Sequence, residues 1–241
     1  MTKGLFVTGT DTGVGKTMVT ASLVLALRGL GVNACGMKPI ETGCHRRGRT
    51  LVPRDGKFLK SVAAMYEPVT AVTPYCLERP LAPLIAAEIE GVSIDLGLVR
   101  KRFAKLAEKY DAVIVEGVGG LAVPLTARAS VADLAKSLKL PLLIVASPFL
   151  GTINHTLLTV SFARRMRIEI AGVVLNYMSP PEGSLAEETN PEALRRLSGV
   201  PVLGVLPHLL DTSEEEMERI ALAYLDMAAI RGAMGLAAPR T

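Results

Sequence analysis

Between Gly4 and Thr20 a short apolar run, a loop of small residues closed by Gly15-Lys16-Thr17, and a helical pattern follow one another directly. That order constrains the fold more than any other feature, because it is the order of a phosphate-binding loop. Glycines let backbone N–H groups turn toward phosphate oxygens, the lysine neutralises the outer phosphates, and the threonine hydroxyl reaches a phosphate-bound magnesium ion. The helix that follows points its positive end at the anion. The spacing is a variant: five residues separate Gly9 from Gly15, and Thr10 stands where the regular motif has its first glycine.

Beyond the loop, apolar runs and helical patterns alternate. Strands are predicted over Leu5 to Thr8, Ala34 to Lys38, Ala112 to Val115, Leu142 to Ala146, Ile170 to Leu175 and Val202 to Leu206. Helical spacing covers Thr17 to Leu30, Phe58 to Met65, Leu81 to Glu90, Ile94 to Tyr110, Ser130 to Leu138, Ile153 to Arg165, Pro191 to Leu197 and Ser213 to Ile230. Cys44 to Lys57, carrying His45, Arg46, Arg47, Arg49, Arg54 and Asp55, reads as a polar surface loop, either solvated or a lid over an anion. Strands alternating with helices imply parallel crossovers. The fold expected is therefore α/β, a P-loop NTPase-like, doubly wound and mostly parallel sheet flanked by helices.

A length of 241 residues with 49% apolar content suits one domain over 1–241, its tail fraying from about 231. A net charge of +4 without a basic tail or arginine stripe does not imply nucleic acid. Cys35, Cys44 and Cys76 lack the spacing of a disulfide framework or zinc site and read as free thiols. With no apolar run long enough for a membrane span, a cytoplasmic setting is expected.

Chemistry concentrates at predicted strand ends. Lys38-Pro39-Ile40-Glu41-Thr42-Gly43 and Glu116-Gly117-Val118-Gly119-Gly120 both fall where such a sheet presents its C-terminal edge to ligands. A magnesium ion needs hard oxygen ligands, and Thr17, Asp55 and Glu116 offer them. Glu116 also reads as a helix cap or salt-bridge partner, and Lys38 alone as a solvated lysine. Lys16 and Lys38 facing one cleft would repel each other without an anion between them, which favours a second anionic substrate. His155 is expected to pack or cap, and the nine methionines to fill the core.

With Gly9 to Thr17, Lys38 to Gly43, Glu116 to Gly120 and Leu150-Gly151-Thr152-Ile153-Asn154-His155 taken together, the chain resembles the dethiobiotin synthetase family over almost its whole length. The resemblance implies an ATP- and Mg2+-dependent ligase forming C–N bonds that carboxylates 7,8-diaminopelargonate with CO2 and closes a cyclic urea. It implies a homodimer as well. It assigns Gly13, Val14, Gly15, Lys16, Thr17 and Met18 to the phosphates, with Gly117, Val118 and Gly119 also near the nucleotide. Thr17, Asp55 and Glu116 go to the metal, and Asn176, Val205, Leu206 and Pro207 to the adenine. Lys38, Lys16 and Thr12 become the catalytic set. Thr12, Lys38, Thr42 and Gly119 line the diamino acid, while Gly151 and Asn154 receive its carboxylate across the dimer.

Two rival classes share the loop. Nucleotide-switch ATPases of the partitioning or septum-placement kind usually carry a lysine early in it, where this chain reads Thr10-Asp11-Thr12. Cobyrinate-type amide ligases need an appended glutaminase domain for which 241 residues leave no room.

Overall fold

The computed structural model describes residues 4–236. In chain order the elements are β1 (Gly4–Gly9), α1 (Lys16–Gly29), β2 (Ala34–Met37), β3 (Ile40–Thr42), β4 (His45–Arg47), β5 (Thr50–Val52), α2 (Arg54–Val62), α3 (Val69–Val72), β6 (Tyr75–Leu77), α4 (Pro83–Glu90) and α5 (Leu96–Ala107). They continue with β7 (Ala112–Glu116), β8 (Pro124–Thr126), β9 (Ala129–Ser130), α6 (Val131–Leu138), β10 (Leu142–Ala146), α7 (Thr152–Arg165), β11 (Ile170–Asn176), α8 (Leu185–Leu197), β12 (Val202–Leu206), α9 (Glu214–Tyr224) and α10 (Met227–Ala233).

Six parallel strands form the main sheet in the order β12-β11-β10-β1-β7-β2. Both faces are covered, so Leu5-Phe6-Val7, Val113-Ile114-Val115 and Leu142 to Val145 are buried without polar alternation. Helix α1 packs its buried Val19, Leu23, Val24 and Leu27 into the same core. β1 sits between β7 and β10, so the chain leaves it toward opposite edges, and the crevice at such a switch point opens outside the strands' C-terminal ends.

Register then decides which side chains meet there. Val7 lies opposite Glu116, and Met37 opposite Val115, so Lys38, one residue further, falls beside Glu116 at the sheet's edge. β2 stops at Met37, short of the expected Lys38, because the Lys38 N–H donates to Val72 O (3.1 Å) outside the ladder and Pro39 has no N–H to give.

Several expectations are corrected. The Cys44 to Lys57 loop is instead the hairpin β4–β5 followed by α2, which starts four residues before the predicted Phe58, and Asp55 lies in the first turn of that helix. α8 starts at Leu185 rather than Pro191: Ser184 and Glu187 form a reciprocal capping box, and Pro191 lies inside the helix. The helix expected over Ser213 to Ile230 is two helices, because Asp226 N–H turns away to Leu203 O (2.7 Å) and Leu225 bridges Gly204. The chain is helical to Ala233 where fraying was expected from about 231, and 237–241 lie outside the described residues. His155 is exposed rather than packed, and Met178, 46% exposed, fills no core. Among the described residues no helix is long and apolar enough to cross a membrane.

Candidate active site

The loop between β1 and α1 turns on two glycines in the left-handed region, Gly13 at φ 75° and Gly15 at φ 87°. At Gly15 a side chain is excluded twice over: a Cβ would lie 2.1 Å from Asn176 Nδ2 and 2.4 Å from Met178 Sδ. Asn176, buried at the end of β11, donates from that same Nδ2 to Val14 O (3.0 Å) and so fixes the loop from behind. Lys16 curls over the loop, its Nζ donating to Asp11 O (2.8 Å). Its ammonium pKa is lowered to about 8, first by burial and then by Lys38.

In front of this loop lies a cleft of about 590 Å³. Thr12, Gly13, Gly15, Lys16, Thr17, Met18, Lys38, Thr42, Asp55, Glu116, Val118 and Gly119 all line it, which brings together most of the residues singled out in the sequence. At its floor Thr17 Oγ1 donates to Glu116 Oε1 (2.9 Å). Lys38 pairs with the same Glu116 oxygen and with Asp55 Oδ2 (3.0 Å). Burial opposes the charge on Lys38, but Glu116 and Asp55 more than offset it and raise its pKa. Burial likewise pushes the Glu116 carboxyl up against the pull of Lys38.

The donor set fits a hard divalent cation. Glu116 Oε2 is buried with no hydrogen-bond partner, which costs free energy unless a cation faces it. Thr17 and Asp55 add a hydroxyl and a second carboxylate. Among the described residues no group of three or more His, Cys, Asp or Glu could hold a metal by itself, so a cation here would depend on phosphate oxygens for its remaining ligands.

Other expected residues stand apart. Gly117 is packed in the core, where a Cβ would come within 2.9 Å of the Phe6 ring, so its smallness serves packing. Leu206 is buried in the core, and Val205, Leu206 and Pro207 line none of the larger cavities. Val14 and Asn176 border a second cavity of about 310 Å³ behind the loop, with Leu150, Thr152 and His155. Gly151 (φ 97°) and exposed Asn154 stand at the start of α7, outside the first cleft. The structure adds Glu41, Arg54, Phe58, Met178 and Thr212 to the cleft lining. Of these Glu41 carries a local signal, as an acid inside Lys38 to Gly43, and Arg54 belongs to the basic stretch read as solvated or as a lid over an anion.

A parallel sheet with a glycine loop at its switch point, a lysine and threonine starting the next helix, and acids at neighbouring strand ends define a P-loop nucleotide-binding α/β protein. A family model described as an AAA domain matches residues 3–216. An ATP-dependent dethiobiotin synthetase from Thermodesulfovibrio yellowstonii is 40% identical over 95% of this chain and 99% of its own length. Another from Anaeromyxobacter dehalogenans is 47% identical over 85% of the chain and 90% of its length. The chain belongs to the dethiobiotin synthetase family, whose members are ligases forming C–N bonds. Its fold is also that of the septum site-determining protein MinD from Pyrococcus horikoshii, solved with Mg-ADP, with a TM-score of 0.57 and 19% identity over 98% of this chain and 91% of that one.

Proposed function

We propose that the chain uses ATP and CO2 to close a cyclic urea on 7,8-diaminopelargonate, giving dethiobiotin, ADP and phosphate. Beside family membership, one observation supports this most: Lys38, a cation outside the phosphate loop, is buried between Glu116 and Asp55 on the cleft that Lys16 also lines. A nucleotide switch keeps its lysines within the phosphate loop, whereas a reaction joining two anions needs positive charge at both.

In this reading one substrate amine adds to CO2 and loses a proton, forming a carbamate. A carbamate oxygen takes the γ-phosphoryl group and ADP leaves. The second amine attacks the carbonyl carbon of the resulting carbamic-phosphoric anhydride and gives up a proton to solvent as phosphate is expelled and the ring closes. Each anionic species is substrate-borne, so the protein's work is positioning and neutralisation. Lys16 and the N–H groups of Gly13 to Met18 hold the phosphates, and Lys38 faces the carbamate. Thr17, Asp55 and Glu116 would hold Mg2+, which when bound neutralises phosphate charge.

Thr12, Thr42 and Gly119 orient the diamino acid; Gly117 and Val118 carry Glu116 into place. Asn176, Val205, Leu206 and Pro207 remain the adenine side, joined by Met178 and Thr212. Gly151 and Asn154 take the substrate carboxylate across a homodimer, a role for which the uncapped start of α7 and the 90% exposed Leu150 are suited. The setting is the cytoplasm.

Incubation with diaminopelargonate, bicarbonate and Mg-ATP should yield dethiobiotin by mass, one per ADP. ATP hydrolysis without that product would place the chain among the switches. Lys38→Ala should abolish ring closure while ATP still binds, and near-normal turnover would remove Lys38 from the mechanism.

A further inference from the structure

Helix α2 has an unusual beginning. Its N-cap is Pro53, which has no side-chain oxygen to offer the first turn, and no side-chain bond is made from that position. Such a helix end leaves backbone N–H groups without partners, at a cost if they are shielded from water. Here two of them are met from another element. Asp55 N–H donates to Glu41 Oε1 (3.1 Å) and Gly56 N–H to Glu41 Oε2 (2.9 Å).

Glu41 is well placed to act as a fixed anchor. It is 6% exposed and lies on β3, whose register with β6 sets it opposite Cys76. The far side of the helix start is closed as well: a Cβ on Gly56 would lie 1.9 Å from Thr73 Oγ1, so the turn seats flush against that residue. Arg54 and Asp55 are thereby carried on a turn clamped from two directions, and Asp55 reaches Lys38 at 3.0 Å. Both oxygens of Glu41 are already engaged with backbone donors. It therefore borders the cleft with both oxygens turned to the start of the helix.

We propose that Glu41 is a positioning residue for the carboxylate of Asp55, acting as a cap supplied from outside the helix, so that metal use by this enzyme depends on a residue that does not touch the metal. This rests on Asp55 being a metal ligand, as in the reading above. Outer partners that orient metal-binding side chains typically change affinity by about 10- to 100-fold. Glu41→Gln keeps size and one acceptor oxygen but presents an NH2 group to the other backbone N–H, so the turn can no longer be held at both points.

The test uses the full-length protein with ATP saturating and Mg2+ varied, in wild type, Glu41→Gln, Asp55→Ala and the double variant. The apparent KM for Mg2+ should rise about tenfold in Glu41→Gln, with metal-free ATP binding unchanged. It should rise at least as far in Asp55→Ala, and the double variant should be no worse than Asp55→Ala alone. Should Glu41→Gln unfold, Glu41→Asp, which keeps the charge on a shorter stem, replaces it, with a smaller shift of about threefold expected. A shift in Asp55→Ala with none in the Glu41 variant, or additive shifts in the double variant, would overturn the inference and leave the role of Asp55 standing. No shift in Asp55→Ala would remove Asp55 from the metal site and the inference with it.

Discussion

Two kinds of helix start stand in contrast in this molecule. α6 and α8 close themselves, each with a serine cap and an acid three residues on, Ser130 with Asp133 and Ser184 with Glu187, bonded reciprocally. α1 and α7 do the opposite. Both run 14 residues, both follow a left-handed glycine, neither has a side-chain cap, and neither has an acid in its first turn. A cap and a first-turn acid satisfy N–H groups and cancel the helix's positive end. α6 and α8 lie away from the phosphate cleft and are closed in this way, whereas α1 opens directly behind the phosphate loop; an open start alone does not mark an anion site, since α4 also lacks both a side-chain cap and a first-turn acid. α2 is a third case, uncapped by its own sequence and capped by Glu41.

The sharpest way to break the open kind is Gly15→Ala. The left-handed conformation costs a non-glycine residue roughly 1–2 kcal/mol, and the new methyl meets Asn176 and Met178 well inside contact distance. Overpacking of that kind adds roughly 1–3 kcal/mol. Met178 can swing toward solvent, but moving Asn176 breaks its bond to Val14 O, and relief of the left-handed turn requires the loop to leave its phosphate-binding shape. ATP affinity should fall about 100-fold, the equivalent of about 2.7 kcal/mol, as measured by calorimetric titration. An affinity within threefold of wild type would show that the loop tolerates a side chain and that its glycine is incidental.

A smaller effect follows from charge at the same helix start. Lys16 titrates at about 8 in the free protein, since burial and then Lys38 disfavour its charged form. Phosphates reverse the sign by favouring the ammonium, so ATP binding should take up a proton at Lys16 above that pH. Affinity should be flat with respect to Lys16 below about pH 8 and weaken by up to about tenfold per unit above it. Titrations in buffers of different ionisation enthalpy check the proton uptake, and a flat profile to pH 9.5 would contradict the lowered pKa.

The same contrast separates what the amino-acid sequence makes legible from what it does not. The buried strands announce themselves as short apolar runs; Lys38 and Glu116 sit at the ends of two of them, where parallel register brings them together, and Lys16 and Thr17 follow the glycine loop that leaves a third. Asp55 could be named but not placed, because the helix carrying it is capped by a residue 14 positions away, and no local pattern encodes that. β3, β6 and the two small hairpins are two or three residues long, too short to show a period. The start of α8 is a different case: Ser184-Leu185-Ala186-Glu187 is a capping signature present in the sequence, while Pro191, a residue common at the first position of a helix, points to a later start. Met178 and Thr212 reach the cleft through tertiary packing alone.

The self-capped kind gives the smallest prediction. In α6, Ser130 Oγ accepts from Asp133 N–H (3.4 Å), while Asp133 Oδ2 accepts from Ser130 N–H (2.7 Å) and Ser130 Oγ–H (2.7 Å). Ser130→Ala removes the acceptor for the first of these and one donor to the carboxylate, and leaves the rest of the turn in place. Loss of such a cap costs about 1 kcal/mol, which for a chain of this size lowers Tm by about 2–4 °C. No residue of α6 lines the phosphate cleft, so ATP affinity and turnover should stay within about twofold of wild type. Thermal unfolding and nucleotide titration on the same sample test both halves. If Ser130→Ala weakened ATP binding while Tm held, a self-capped helix would be serving the site, and the division between the two kinds of helix start would fail at α6.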